Sequence, residues 1–183
     1  MSGNSSEGGF SNLKKLTAAF RNSSELTLKE KVLLRVGEET EAVLCTRSPV
    51  FAKMFENDMK ELKENMVAVE DIKMPVLKAL VSFLYTGKLP NYNFDFLCDL
   101  YYASDKYDIP ELRQVCIDLL LPNILLENIF RALKLAFLHN IERFTVMTLM
   151  AANIGTLVST NAWTNLITDE PEIAVEVLNF FDF

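Results

Sequence analysis

Two short apolar segments constrain the fold of this chain most, because in each one the residues themselves fix where a helix begins or ends. At Ser48-Pro49 the serine can cap a helix, and a proline at the first helical position gives up no hydrogen bond that the helix needs. At Phe83–Gly87 an apolar run stops at a glycine, which readily takes the left-handed conformation that ends a helix. Both segments are typical of a packed scaffold rather than of a catalytic site.

Apolar residues at helical spacing predict that most of the chain is α-helical. A short amphipathic helix is expected around Leu13, Leu16 and Phe20. Further helices are expected at residues 48–55, 74–87, 94–107, 109–120, 126–139, 141–153 and 171–181, with another around Trp163.

Short runs of apolar and β-branched residues predict a small sheet. Lys31–Val36 is predicted to be a strand, followed by a turn at Gly37–Glu39 and a partner strand that is completed before Val43. Met66–Val69 is predicted to be a further short strand.

Composition and a proline divide the chain into three parts. Residues 1–10 are rich in glycine and serine and are expected to be disordered. Pro122 lacks a backbone donor and restricts the conformation of Leu121, so it marks a boundary. We therefore expect one domain over residues 11–121 and a helical segment over residues 122–183.

Charge and cysteine content exclude several classes of function. The net charge of -7 and the single adjacent basic pair, Lys14-Lys15, argue against a nucleic-acid partner. The 3 cysteines are far apart and are typical of reduced thiols in an intracellular protein. The polar N-terminus does not have the pattern of a signal peptide, and no apolar run approaches the roughly 18 residues of a transmembrane helix. We expect no membrane partner.

The sequence also argues against an enzyme. His139 is the only histidine, and its leucine- and phenylalanine-rich surroundings favour a structural role. The cysteine spacing does not fit zinc, and there is no glycine-rich phosphate loop. Carboxylate pairs such as Glu70-Asp71 and Asp169-Glu170 are expected to be solvated surface. We expect no catalytic residue, cofactor or metal.

Four segments occur in an order and spacing that resemble the BTB/POZ domain, a protein-interaction module. They are Val43–Phe51, Val67–Asp71, Phe83–Gly87 and Ala103–Tyr107. Within that family the chain resembles the speckle-type POZ protein group, whose BTB domain is followed by a 3-box and a BACK-like helical segment. Leu125–Asn128 and Leu135–His139 resemble the start of this extension, and Trp163 and Pro171 resemble its end. The resemblance implies an α+β, mainly α fold: a helical cluster with a small sheet, then a helical extension.

Two features depart from the family pattern. Full-length members usually carry an N-terminal MATH domain that captures substrates, and we expect none to be encoded here. Relatives also usually have a longer hairpin before the first core helix. Here Glu39–Ala42 runs almost directly into Val43, so a shortened hairpin is expected at residues 37–44.

The resemblance implies a binding site for cullin-3. In cullin-binding members a hydrophobic-x-Glu motif follows the helix that here ends near Phe55, and Met59 and Glu61 match its hydrophobe and its acid. Met suits a shallow pocket, and the carboxylate would lie near the start of a cullin helix. By pattern alone, such a triplet is common in any charged loop.

Four more residues are implied to contribute to the cullin-binding surface. Tyr85 and Tyr107 would flank it with polar tips and apolar bodies, although a role as partly buried core aromatics is equally compatible with the sequence. Leu125 and Asn128, at the start of the extension, complete the set.

A homodimer is also implied, because a swapped N-terminal helix or strand commonly builds the two-fold interface of BTB domains. The corresponding contacts would be Leu13, Leu16, Phe20, Val32 and Val43. An isolated helix of this length is marginal in water, so docking on a second subunit is physically sensible. Packing of these residues on their own subunit is the alternative.

The sequence therefore predicts a protein-interaction adaptor that homodimerises and bridges to cullin-3 in a ubiquitin-protein ligase complex. The alternative is a scaffold without a MATH domain that oligomerises with related BTB proteins and modulates their assembly or transcriptional regulation. The expected location is intracellular, in the nucleus, the cytoplasm or both.

Overall fold

The computed structural model describes residues 32–35, 38–57, 66–69, 71–139 and 143–181 of the chain. The chain forms two compact units that divide between Leu119 and Leu120. Each unit has buried apolar residues of its own.

The N-terminal unit is a cluster of helices with a two-stranded sheet. Its elements are β1 (Val32–Arg35), α1 (Glu38–Arg47), α2 (Pro49–Asn57), β2 (Met66–Val69), α3 (Met74–Thr86), α4 (Phe94–Lys106) and α5 (Pro110–Leu120), whose last residue already belongs to the second unit. The two strands pair antiparallel, with Val32 opposite Val69 and Arg35 opposite Met66. The predicted helical cluster with a small sheet is confirmed.

The predicted hairpin at residues 37–44 is wrong. The segment that was expected to hold a turn and a partner strand is instead the helix α1, and the partner of β1 is β2. Acidic residues, Glu41 among them, stand at the start of α1 and Arg47 in its last turn, an arrangement that the helix dipole favours. Leu44, which is fully buried, anchors this helix to the core.

The helix ends that the sequence predicted for α2 and α3 are confirmed. The backbone N–H of Phe51 donates to the side-chain oxygen of Ser48 at 3.2 Å, so this serine caps the start of α2. Gly87 has a φ of 65°, and its N–H donates to the carbonyl of Phe83 at 2.7 Å. Both contacts fix where these helices begin or end, and Phe51 and Phe55 lie buried.

The C-terminal unit is entirely helical over the residues that the structure describes. Its elements are a single 3-10 turn (Leu121–Asn123) followed by α6 (Ile129–His139), α7 (Arg143–Ala151), α8 (Ile154–Leu157), α9 (Asn161–Asp169) and α10 (Pro171–Phe181). Its core contains Ile129, Leu133, Met150, Trp163, Leu166 and Val177. The predicted helix around Trp163 and the predicted range of α10 are confirmed, whereas α6 begins three residues later than predicted.

Candidate protein-interaction surface

The Met59-Lys60-Glu61 triplet lies in the connection between α2, which ends at Asn57, and β2, which begins at Met66. Met59 and Glu61 lie outside the described residues, so their role in cullin binding stays a prediction. The helix that leads into this connection is firmly placed, because Phe51 and Phe55 bury its inner face.

Tyr107 is a core residue of the N-terminal unit. Only 3% of it is exposed, and its ring packs on the ring of Phe51 with 4.5 Å between centroids. Its hydroxyl donates to Oδ1 of Asp71 at 3.4 Å, and Asp71 also forms an ion pair with Lys106. Burial, reinforced by the charge of Asp71, raises the pKa of Tyr107 well above its usual value. So little of Tyr107 is exposed that its contact with cullin-3 gains no support from the single subunit and stays a prediction.

Ser48 has a second role that its sequence context did not indicate. Its buried hydroxyl donates to the backbone carbonyl of Tyr107 while accepting from the N–H of Phe51. The start of α2 is thereby tied to the turn after α4. The two residues are 59 positions apart, so no local pattern in the sequence could have paired them.

Tyr85 and Leu125 are more accessible than Tyr107. Tyr85 is half-buried near the end of α3, two residues before Gly87. Leu125 is 55% exposed and lies beside Leu126, which is also exposed, just before α6. These positions leave apolar surface available to a partner.

Asn128 forms the turn that leads into α6. Its side-chain oxygen accepts from the N–H of Leu125 at 2.8 Å, and its side-chain nitrogen donates to the carbonyl of Asn123 at 3.0 Å. These bonds fix the turn immediately before α6, which begins at Ile129. Both ends of the Asn128 side chain thus make local hydrogen bonds. Its predicted contact with cullin-3 would have to use the second N–H or the second lone pair of the amide.

The predicted dimer contacts are described only in part. Leu13, Leu16 and Phe20 lie outside the described residues, and Val32 is described only as a backbone position of β1. Val43 lies on α1 and is half-buried in the single subunit. The dimer interface stays a prediction.

In the described part of the chain, the residue types that bind metal ions are not gathered into a site. No cluster of histidine, cysteine and acidic residues there could hold a metal ion. The three cysteines form no disulfide, and burial together with neighbouring Cys98 raises the pKa of Cys116 to about 12, which leaves it a poor nucleophile. No helix in the described segments has both the length and the apolarity to cross a bilayer.

Comparison with known proteins identifies the family. Residues 32–124 match the model of the BTB/POZ domain. The chain is 32% identical over 141 residues to the mouse TD and POZ domain-containing protein 4. The matched residues make up 75% of the chain and 38% of that relative. It is 33% identical over 153 residues to the mouse TD and POZ domain-containing protein 3, with 80% of the chain and 42% of the relative covered.

The chain thus spans about two fifths of the length of these curated relatives. The match to the domain model contains both strands, the helices α1–α5 and the 3-10 turn after them. It therefore extends over the whole sheet and helical cluster described above. The chain belongs to the BTB/POZ domain family.

Proposed function

We propose that this chain is an adaptor that bridges to cullin-3 in a ubiquitin-protein ligase complex. The observation that carries the proposal is the BTB/POZ match over residues 32–124, because it includes the Met59-Lys60-Glu61 triplet between α2 and β2. The resemblance to the speckle-type POZ protein group supports the same function.

In this proposal Met59 supplies an apolar anchor and Glu61 an acceptor for backbone N–H groups at the start of a cullin helix. The anchored start of α2 favours such a contact, since a fixed helix limits where the following connection can reach. The exposed Leu125 adds a second apolar contact, and Tyr85, which is half-buried, adds a hydroxyl group. Tyr107, of which only 3% is exposed, can add little to this surface.

The adaptor acts inside the cell, in the nucleus or the cytoplasm, and as a homodimer. The proposed interface uses the N-terminal residues Leu13, Leu16 and Phe20 together with Val32 and Val43. A dimer would present two cullin-binding surfaces.

The Met59→Glu, Glu61→Lys double variant tests the proposed site. It places a charge where an apolar anchor is expected and reverses the acid, so the affinity for the purified cullin-3 N-terminal domain should fall by at least about tenfold. Isothermal titration calorimetry on the full chain measures this directly.

Glu64→Gln is the matched control. It lies in the same connection and changes the net charge by the same single unit as the double variant, so it should bind like the wild type. Equal binding by the double variant and the wild type would show that the triplet is not the site.

The scaffold function remains the competing proposal, and solution mass separates the two. If the wild-type chain is dimeric but its mass does not change when the cullin-3 domain is added, the chain assembles with BTB proteins without recruiting a ligase. A mass increase of one cullin domain per subunit supports the adaptor.

A further inference from the structure

A groove with an acidic rim crosses one face of the C-terminal unit. One wall is formed by Phe137 and Leu138 at the end of α6 and by Arg143 at the start of α7; the other is formed by residues 169–173 and Glu176. The volume of this acidic groove is about 480 Å³, enough for one large side chain and its neighbours.

The apolar wall of the groove is accessible to a partner. Leu138 is 72% exposed, more than any other large apolar side chain in the described segments. A single exposed leucine is ordinary on a protein surface. This one is notable because it lines a cavity, where a partner side chain would contact it from the open side.

The groove already holds one guanidinium group of its own. Arg143 lies with its guanidinium carbon 3.9 Å from the ring centroid of Phe137, and it forms an ion pair with Glu176. An aromatic face combined with a carboxylate is a favourable environment for arginine. Arg143 itself uses this aromatic face and this carboxylate, so a ligand would meet the remaining acids of the rim.

The carboxylates on the opposite wall are only partly neutralised. Glu170 pairs with Lys134 at 3.5 Å, and Glu176 pairs with Arg143. Asp169 and Glu172 are exposed, and neither forms an ion pair with a cation among the described residues. Two negative charges are thus left at the rim.

The two acids lie at the junction of two helices. Glu172 lies in the first turn of α10, where the helix dipole favours an acid. Asp169 is the last residue of α9, where the dipole disfavours a negative charge, but it also lies two residues before Pro171, the start of α10, where the dipole favours one. The dipole of α10 therefore favours both acids at this rim.

We propose that the acidic groove binds a basic segment of a partner protein, with an arginine at Asp169 and Glu172 and an adjacent apolar side chain against Leu138. Charge complementarity selects this occupant, because the rim carries two exposed acids that pair with no cation among the described residues. Arginine fits better than lysine because its planar fork can bond two carboxylates at once. The groove shares no residue with the proposed cullin-binding set, so the two proposals fail independently.

The test is fluorescence anisotropy with the full chain and a labelled peptide that has an Arg-Leu-Arg centre flanked by Gly and Ser. Wild-type protein should bind it saturably at low salt, and a Glu-Leu-Glu peptide should not bind. Asp169→Asn with Glu172→Gln should weaken binding about fivefold, the size expected for two exposed ion pairs. Leu138→Ser should weaken it too, because the apolar contact is lost.

Glu127→Lys is the matched control, since it shifts the net charge by the same two units at an exposed position away from the groove. It should bind the peptide within about twofold of the wild type, as expected when only long-range charge changes. All these substitutions are at exposed residues, so the fold should persist, and circular dichroism checks it. The proposal is overturned if the wild type shows no saturable binding, if the double variant binds as the wild type does, or if Glu127→Lys weakens binding equally.

Discussion

At the scale of single residues, Tyr107 joins three segments of the N-terminal unit. Its ring packs on Phe51 of α2, its carbonyl accepts from Ser48, and its hydroxyl reaches Asp71 ahead of α3. A buried tyrosine needs a partner for its hydroxyl, and Asp71 supplies it. The side chain therefore links a hydrophobic core contact to a surface ion pair.

Tyr107→Phe separates the ring contact from the hydrogen bond to Asp71, since it keeps the ring and removes the hydroxyl. The bond to Asp71 is long, at 3.4 Å, so the free energy of unfolding at pH 8 should fall by only about 1 kcal/mol. Urea denaturation followed by circular dichroism measures this difference.

The pH dependence of the same variant tests whether burial holds the proton on Tyr107. A folded-state pKa raised above 10 gives stability that is fully present below pH 10 and is lost as the pH rises through the folded-state pKa. Wild-type stability should therefore fall more steeply above pH 10 than that of Tyr107→Phe, and the gap between them should narrow. Parallel decline of the two proteins from pH 9 to 11 would contradict the burial effect.

At the scale of elements, the end of α3 depends on one backbone conformation. Gly87 has a φ of 65°, in the left-handed region, and a Cβ built there would meet no atom within 4 Å. Gly87→Ala should therefore destabilise the N-terminal unit by about 1 kcal/mol through backbone strain alone, with no steric clash. Urea denaturation gives the change as a shift of the midpoint at constant slope.

Gly155→Ala is the counterpart of that change. Gly155 also has open space around its Cβ position, but it lies in the helix α8 and its φ is not in the left-handed region. Alanine should stabilise this position by about 0.5 kcal/mol or leave it unchanged. If both variants lost the same stability, the positive φ at Gly87 would not be the cause.

Elements whose ends depend on neighbouring residues could be predicted from the sequence. Ser48, Gly87 and the proline that opens α10 each act within a few positions, and the corresponding helices were found. Helix α1 was missed because, among its residues 41–47, whose burial is described, Leu44 alone is buried, so no clear apolar stripe stands out.

The acidic groove could not be predicted for a different reason, which is sequence separation. Arg143 and Glu176 are 33 positions apart, and only the folded C-terminal unit brings them together. From the sequence, Asp169-Glu170 was expected to be solvated surface. Asp169 is indeed exposed, yet Asp169 and Glu170 also line the acidic groove.

At the scale of the whole molecule, the proposed homodimer requires that α1 contact the second subunit. Val43 is half-buried in the single subunit and precedes Leu44, whose side chain is fully buried. A β-branched apolar residue that is only partly covered next to a core position is well placed to contact a second copy. Burial of both copies of Val43 would then add apolar area at the two-fold axis.

Val43→Asp should separate the subunits, because an unpaired carboxylate in an apolar interface costs on the order of several kcal/mol. The mass measured by light scattering should fall from twice 20.8 kDa to 20.8 kDa. Val158→Asp, at an exposed valine of the C-terminal unit, introduces the same charge and should leave the dimer intact. Circular dichroism shows whether Val43→Asp is still folded. A folded Val43→Asp variant that remains dimeric would remove α1 from the interface and leave the predicted N-terminal contacts Leu13, Leu16 and Phe20 to be tested in the same way.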